Sequence, residues 1–192
     1  MSLRAEEWAT PGDALYSEDG AGLEETLSRL LRQRGLTLAA AESCTGGLIA
    51  KRMTDLPGAS QVFRGGVVSY TNEVKVAVLG VRQETLDRFG AVSAETAREM
   101  AEGVRRITGA DIGLSVTGVA GPDPDERGTP VGIVYIGLAA PEGTFCRKLD
   151  LGVRRRDRIR DMSCNHAFDV LRRYLTGLPV KTASAGKQLG RF

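Results

Sequence analysis

Apolar residues along this chain switch repeatedly between helical and strand-like spacing, and glycines mark the switches. Leu23, Leu27, Leu30 and Leu31 share one helical face, and Gly35 ends that helix. Leu36 to Ala41 reads as a buried strand, followed by a glycine turn and a helix over 45–55 that Pro57-Gly58 ends. Val62 to Thr71 is strand-like around Val67 and Val68. Asn72 suits the N-cap of a short helix ending at Gly80. Ser93 suits the cap of a longer helix, with Ala97, Met100, Ala101, Val104 and Ile107 on one stripe. Strands follow over 112–117 and 131–139, and Phe145 to Leu151 pairs with the second as a hairpin across Pro141-Glu142-Gly143. A last helix runs from Arg156 to Leu175 with Ile159, Met162, His166, Val170 and Tyr174 inward. Helices before, between and after strands predict a layered α/β domain with a mixed sheet.

The 192 residues make one domain. Residues 1–21 mix Glu, Asp, Gly and Pro without a period and read as a flexible leader; Trp8 suits a pin to the body or a lone exposed side chain equally. Residues 22–175 form the folded part, and 176–192 read as a flexible basic tail. No apolar run reaches the ~18–20 residues of a membrane span, and no signal-peptide pattern opens the chain. Cys44, Cys146 and Cys164 are far apart and form no CxxC pair. Neither a disulfide framework nor a zinc ribbon is indicated, and a cytoplasmic setting is expected.

The single histidine, His166, excludes a multi-His metal site within one chain, and neither a metal nor a cofactor is expected. A Ser-His-Asp triad would have to use His166, whose place on the inward stripe suits a core residue. A net charge of +2 is too small to argue for nucleic acid. Arg147, Lys148, Arg154, Arg155, Arg156, Arg158 and Arg160 form a basic run. The run reads as a solvated face in which one arginine suits contact with a ligand phosphate; a nucleic-acid role would instead predict affinity that falls steeply with salt.

Three segments carry the chemistry. Ala41-Glu42-Ser43-Cys44-Thr45-Gly46-Gly47 lies between a buried strand and a helix start. Free N–H groups there suit a phosphate or an oxyanion, and the paired glycines allow close approach. Ser43 suits a displayed nucleophile, although no GxSxG elbow is present; Ser43 or Thr45 equally suits a helix cap. In Tyr70-Thr71-Asn72-Glu73-Val74-Lys75, the lysine falls in the first helical turn. Positive charge is disfavoured there by about 0.3–1 kcal/mol. A general-base lysine near neutral pH needs roughly 4–5 kcal/mol, so burial must supply the rest. A solvated surface lysine is the alternative reading. Finally, Ser115-Val116-Thr117-Gly118-Val119-Ala120-Gly121-Pro122 is a strand running into a glycine loop, which suits a ligand site or a plain turn. No Walker A motif occurs.

The segments AESCTGGLIAKRMTDLPGAS, FRGGVVSYTNEVKVAVLGV, GAVSAETAREMAEGVR and LSVTGVAGP resemble the C-terminal domain of competence/damage-inducible CinA proteins. That domain also occurs alone as nicotinamide-nucleotide amidohydrolase. The resemblance spans residues 22–175. It implies a three-layer α/β/α sandwich and deamidation of nicotinamide mononucleotide to nicotinic acid mononucleotide. It places the nucleophile on Ser43, with Tyr70, Lys75 and Thr117 as the other catalytic residues. Thr45, Gly46, Gly47, Gly65, Gly66, Gly118, Ala120 and Gly121 would line the nucleotide site. It also implies self-association, with a homodimer favoured.

Two stretches depart from the family pattern. The loop after Gly121 reads PDPDERGTPVG, where the family more often has a glycine-rich stretch. The family's GDR segment appears as Gly152-Val153-Arg154-Arg155-Arg156, and spacing back from Ile159-Arg160 favours Arg156 as the equivalent arginine. The resemblance does not reach the N-terminal nucleotide-pyrophosphatase-like domain of two-domain members, so no activity is carried over from it.

The expected reaction is amide hydrolysis through a Ser43–Lys75 pair. Lys75 takes the serine proton directly or through Tyr70, and Thr117 orients Ser43 or Lys75 by hydrogen bonding. Backbone N–H groups of Thr45 to Gly47 hold the oxyanion. The same stretch suits a phosphate, and one helix end serves both poorly. The rival reading, prompted by the altered loop, is a catalytically silent nucleotide-binding or regulatory module.

Overall fold

The computed structural model describes residues 21–180. The leader and tail therefore lie outside the described residues, apart from 21 and 176–180. Twelve elements follow one another: α1 (Leu23–Arg34), β1 (Leu38–Glu42), α2 (Leu48–Thr54), a short 3₁₀ turn (Ala59–Gln61), β2 (Phe63–Val68), α3 (Asn72–Leu79), α4 (Gln83–Phe89), α5 (Ala94–Thr108), β3 (Ile112–Gly118), β4 (Ile133–Ala140), β5 (Gly143–Asp150) and α6 (Arg156–Leu175).

The strands form one sheet in the order β2-β1-β3-β4-β5. β2, β1 and β3 are parallel, and β4 runs antiparallel to both its neighbours, β3 and β5. β4 and β5 form the expected hairpin, closing from Ala140 opposite Gly143. The sheet is mixed, and helices cover both faces.

Strand alternation separates two cores. Leu38, Ala40, Ile112, Leu114 and Val116 pack with residues of α1, α2 and α6. Ala39 and Ala41 pack with Leu79, Met100 and Val104 on the opposite face. There α5 lies almost on the strands, because small residues make room for it. A Cβ on Gly137 would stand 2.3 Å from the Ala97 carbonyl oxygen, and one on Gly113 2.0 Å from that of Ala101. Ser115 between them donates its hydroxyl to the Ala97 oxygen at 2.5 Å.

Several local expectations are corrected. The helix expected over 45–55 starts at Leu48, because Gly46 and Gly47 take left-handed φ values of 58° and 95° and prolong the turn. Thr71, not Asn72, is the N-cap of α3; Asn72 opens the helix. Strand β2 ends at Val68 rather than Thr71. Ile107 is 46% exposed, since α5 rotates it off the buried stripe in the last turn. Helix α4 was not anticipated; its seven residues bury only Thr85 and Leu86, too few to show a period. His166 is buried, as an inward position requires.

Candidate active site

Three loops meet at the C-terminal ends of the parallel strands. Ser43 follows β1, Ser69 and Tyr70 follow β2, and Val119 to Gly121 follow β3. The chain leaves β1 for β2 on one side and later returns to β3 on the other. That change of direction falls at the end of β1, the usual ligand position in such sheets.

Ser43 stands at this strand end, half-buried, with its N–H donated to the Val116 oxygen at 2.9 Å. Lys75 reaches it from the first turn of α3. The Lys75 Nζ donates to Ser43 Oγ at 3.3 Å and to the Ser69 carbonyl oxygen at 2.8 Å. Lys75 is only 1% exposed. Burial disfavours the ammonium and lowers its pKa from 10.5 to about 8, against weaker opposing influences of Cys44 and Glu73. No salt bridge is formed by Lys75 among the described residues. A buried, unpaired lysine held against a serine hydroxyl is equipped to become neutral and take its proton.

Tyr70 and Arg156 lie farther out. Tyr70 is 57% exposed, and its hydroxyl accepts from Arg156 Nη2 at 2.6 Å. Arg156 Nη1 donates to the Gly121 carbonyl oxygen at 2.6 Å. Arg156 thus links the end of β2 to the loop after β3, on either side of the β1 end that carries Ser43. Tyr70 makes no hydrogen bond to Ser43 or Lys75, so the relay expected through it is not formed here.

Thr117 is placed differently from expectation. Its hydroxyl donates to the Ala91 oxygen at 2.7 Å, tying the α4–α5 linker to β3, and does not reach Ser43 or Lys75 by a hydrogen bond. Gly65 and Gly66 lie within β2 opposite Ala39 and Ala40, short of the strand end where Ser43 stands. A Cβ on Gly66 would meet the Ala40 oxygen at 3.1 Å and the Ala50 side chain at 3.6 Å, so this glycine serves the approach of α2. Gly118 closes β3 against Ile133 and Val134, and Ala120 is buried. Of that stretch it is the Gly121 carbonyl that meets Arg156.

Two residues without a role in the sequence reading shape the serine turn. Glu42, 1% exposed, accepts N–H groups of Gly47 and Ile49 at 3.0 Å each and of Ala50 at 2.9 Å. Arg160 donates through Nη2 to the Thr45 oxygen at 2.7 Å. An acid just ahead of a helix start was the available signal for Glu42. Nothing local marks Arg160, whose partner lies 115 residues earlier.

The Thr45 to Gly47 donors expected for an oxyanion are largely committed. Gly46 N–H goes to the Ser43 oxygen and Gly47 N–H to Glu42. Thr45 is fully buried, and its hydroxyl has no partner among the described residues. The Cys44 side chain is also buried, which raises its thiol pKa to about 12. Among the described residues no group of three or more His, Cys, Asp or Glu side chains could hold a metal ion, and no helix is long and apolar enough to cross a membrane.

Comparison with known proteins agrees with this architecture. The chain is 57% identical over 166 residues to a competence-damage inducible protein of Caldanaerobacter subterraneus subsp. tengcongensis, covering 86% of this chain and 40% of that one. It is 48% identical over 176 residues to a CinA-like protein of Desulfovibrio desulfuricans, covering 91% of this chain and 41% of the relative. The chain thus spans about two fifths of the length of these relatives. Among solved structures, competence damage-inducible protein A from Klebsiella pneumoniae subsp. pneumoniae superposes with a TM-score of 0.78 at 33% identity, covering 80% of this chain and 95% of that one. The competence/damage inducible protein CihA from Agrobacterium tumefaciens gives 0.74 at 38% identity, covering 81% and 97%. A family description, the CinA C-terminal domain, matches residues 20–175. With its mixed sheet, its two helical layers and the serine turn at the end of β1, this chain belongs to the CinA C-terminal domain family.

Proposed function

We propose that this domain hydrolyses the carboxamide of nicotinamide mononucleotide, releasing ammonia and nicotinic acid mononucleotide through a Ser43 acyl-enzyme. The observation that carries this reading is the 3.3 Å contact between Ser43 Oγ and the buried Lys75 Nζ. Neutral Lys75 takes the serine proton as Oγ attacks the carboxamide carbon. The resulting lysinium returns that proton to the departing nitrogen, and the C–N bond breaks with loss of ammonia. Water then attacks the acyl carbon, Lys75 again accepting a proton, and the acid leaves as Ser43 is restored. The Cys44 N–H, the donor that follows the nucleophile, is the group best placed by sequence to receive the oxyanion. Arg156 at the rim supplies a cation for the substrate phosphate.

Ammonia release from nicotinamide mononucleotide tests this directly. Wild type is expected to turn over, while Ser43→Ala and Lys75→Ala fall by at least about 100-fold, the low end for a lost general base. Retained turnover in Ser43→Ala would remove the nucleophile assignment. Binding of the nucleotide by wild type without ammonia release would favour a silent nucleotide-binding module.

A further inference from the structure

Glu42 ends β1 and immediately precedes Ser43. A buried carboxylate without a cation is costly unless donors surround it. Here the donors are three backbone N–H groups at the start of α2, from Gly47, Ile49 and Ala50. These bonds close a ring from residue 42 to residue 50, and Ser43 lies inside it. Inside the ring the Gly46 N–H returns to the Ser43 carbonyl, and the Leu48 N–H to that of Thr45. The left-handed Gly46 and Gly47 give the turn its tight path. Outside it, Ser43 is anchored to Val116 and Thr45 to Arg160.

We infer that Glu42 is a positioning residue for the nucleophile: by closing this ring it fixes where the Ser43 hydroxyl stands relative to Lys75. It also sorts the backbone donors. Those of Gly47, Ile49 and Ala50 are taken by the protein's own anion, which directs an anionic substrate group away from the start of α2. The effect on turnover rests on the amide-hydrolysis reading, whereas the effect on Ser43 itself does not.

The test compares wild type with Glu42→Gln, in which an NH₂ group replaces one accepting oxygen. Two rates are measured well below the melting temperature of each protein: ammonia release, and labelling of Ser43 by a fluorophosphonate, located by mass spectrometry. Both are expected to slow about 100-fold, the order expected for an ~1 Å misplacement, with KM for the nucleotide within about twofold. Unchanged rates in Glu42→Gln overturn the inference, as does a loss that disappears on cooling. Labelling of wild-type Ser43 without ammonia release would remove the nucleotide reading, and the labelling comparison would still decide Glu42. Absence of wild-type labelling at Ser43 counts against the inference. Should Glu42→Gln fail to fold, Glu42→Asp, which keeps the carboxylate on a shorter stem, is compared by the same two rates: slowing of both is expected, and unchanged rates overturn the inference.

Discussion

Lys75 meets the half-buried Ser43 from inside the protein, whereas Tyr70 and Arg156 meet at its surface. The inner pair stands on short tethers. Ser43 is one residue past a central strand, and Lys75 is in the first turn of a helix. Backbone geometry places Ser43, while burial and the bond to the Ser69 carbonyl confine the Lys75 ammonium. The outer pair is joined by a long guanidinium that spans two loops. Burial therefore tunes reactivity at the inner pair, and solvent screening weakens each bond at the rim. The site divides into a fixed reactive floor and an adjustable edge.

The sharpest way to break this contrast is through the charge of Lys75. Its folded pKa, about 8, lies below the ordinary 10.5. Between those values the unfolded chain binds more protons, so the Lys75 contribution to stability rises with pH; below about 8 the cost of the buried charge is present in full. Relative to Lys75→Met, wild type is expected to gain about 3 kcal/mol between pH 7 and pH 11, read by urea unfolding. The kcat/KM profile should rise through pH 8 for the same reason. A flat difference between the two proteins would mean that Lys75 is not held apart from water.

The rim should respond through binding. Arg156→Ala is expected to raise KM for nicotinamide mononucleotide about 10- to 100-fold, the equivalent of a hydrogen bond to a charged group. The kcat value should stay within about threefold. A collapse of kcat with unchanged KM would place Arg156 on the reactive floor instead.

Thr117 should give the smallest effect. Thr117→Val loses the hydrogen bond to Ala91 and is expected to cost about 1 kcal/mol in denaturant unfolding, with kcat within about twofold. A large fall in kcat at unchanged stability would restore the direct role that the family resemblance implied.

The sequence showed the layers of this fold because their signals are local. The leucine face of α1, the Ser93 cap and the β4–β5 turn each depend on residues close in the chain. From their motifs alone Ser43 suited a nucleophile or a cap and Lys75 a base or a surface residue; the structure brings the two together at 3.3 Å with Lys75 1% exposed. The helix start was misplaced because the left-handed glycines at 46 and 47 delay it. Contacts made between distant elements were not legible. Arg160 with Thr45, Thr117 with Ala91 and Arg156 with Gly121 are separated by 115, 26 and 35 residues. The altered loop after Gly121 also proves ordered by long-range contacts: Arg127 donates to the carbonyls of Leu86, Asp87 and Arg88 at the end of α4.

The buried thiol beside Ser43 has a consequence for the conditions under which this chemistry can run. Burial raises the Cys44 pKa to about 12 and so keeps the thiol protonated at neutral pH, whereas the thiolate is the form that oxidants and alkylating agents attack. Cys146 and Cys164 are also buried, with thiol pKa values raised to about 11 and about 12. Peroxide or iodoacetamide that disables an exposed cysteine enzyme should therefore find little to react with in the folded domain. In the proposed reaction, a hydroxyl nucleophile beside this buried thiol would run without drawing on thiol chemistry.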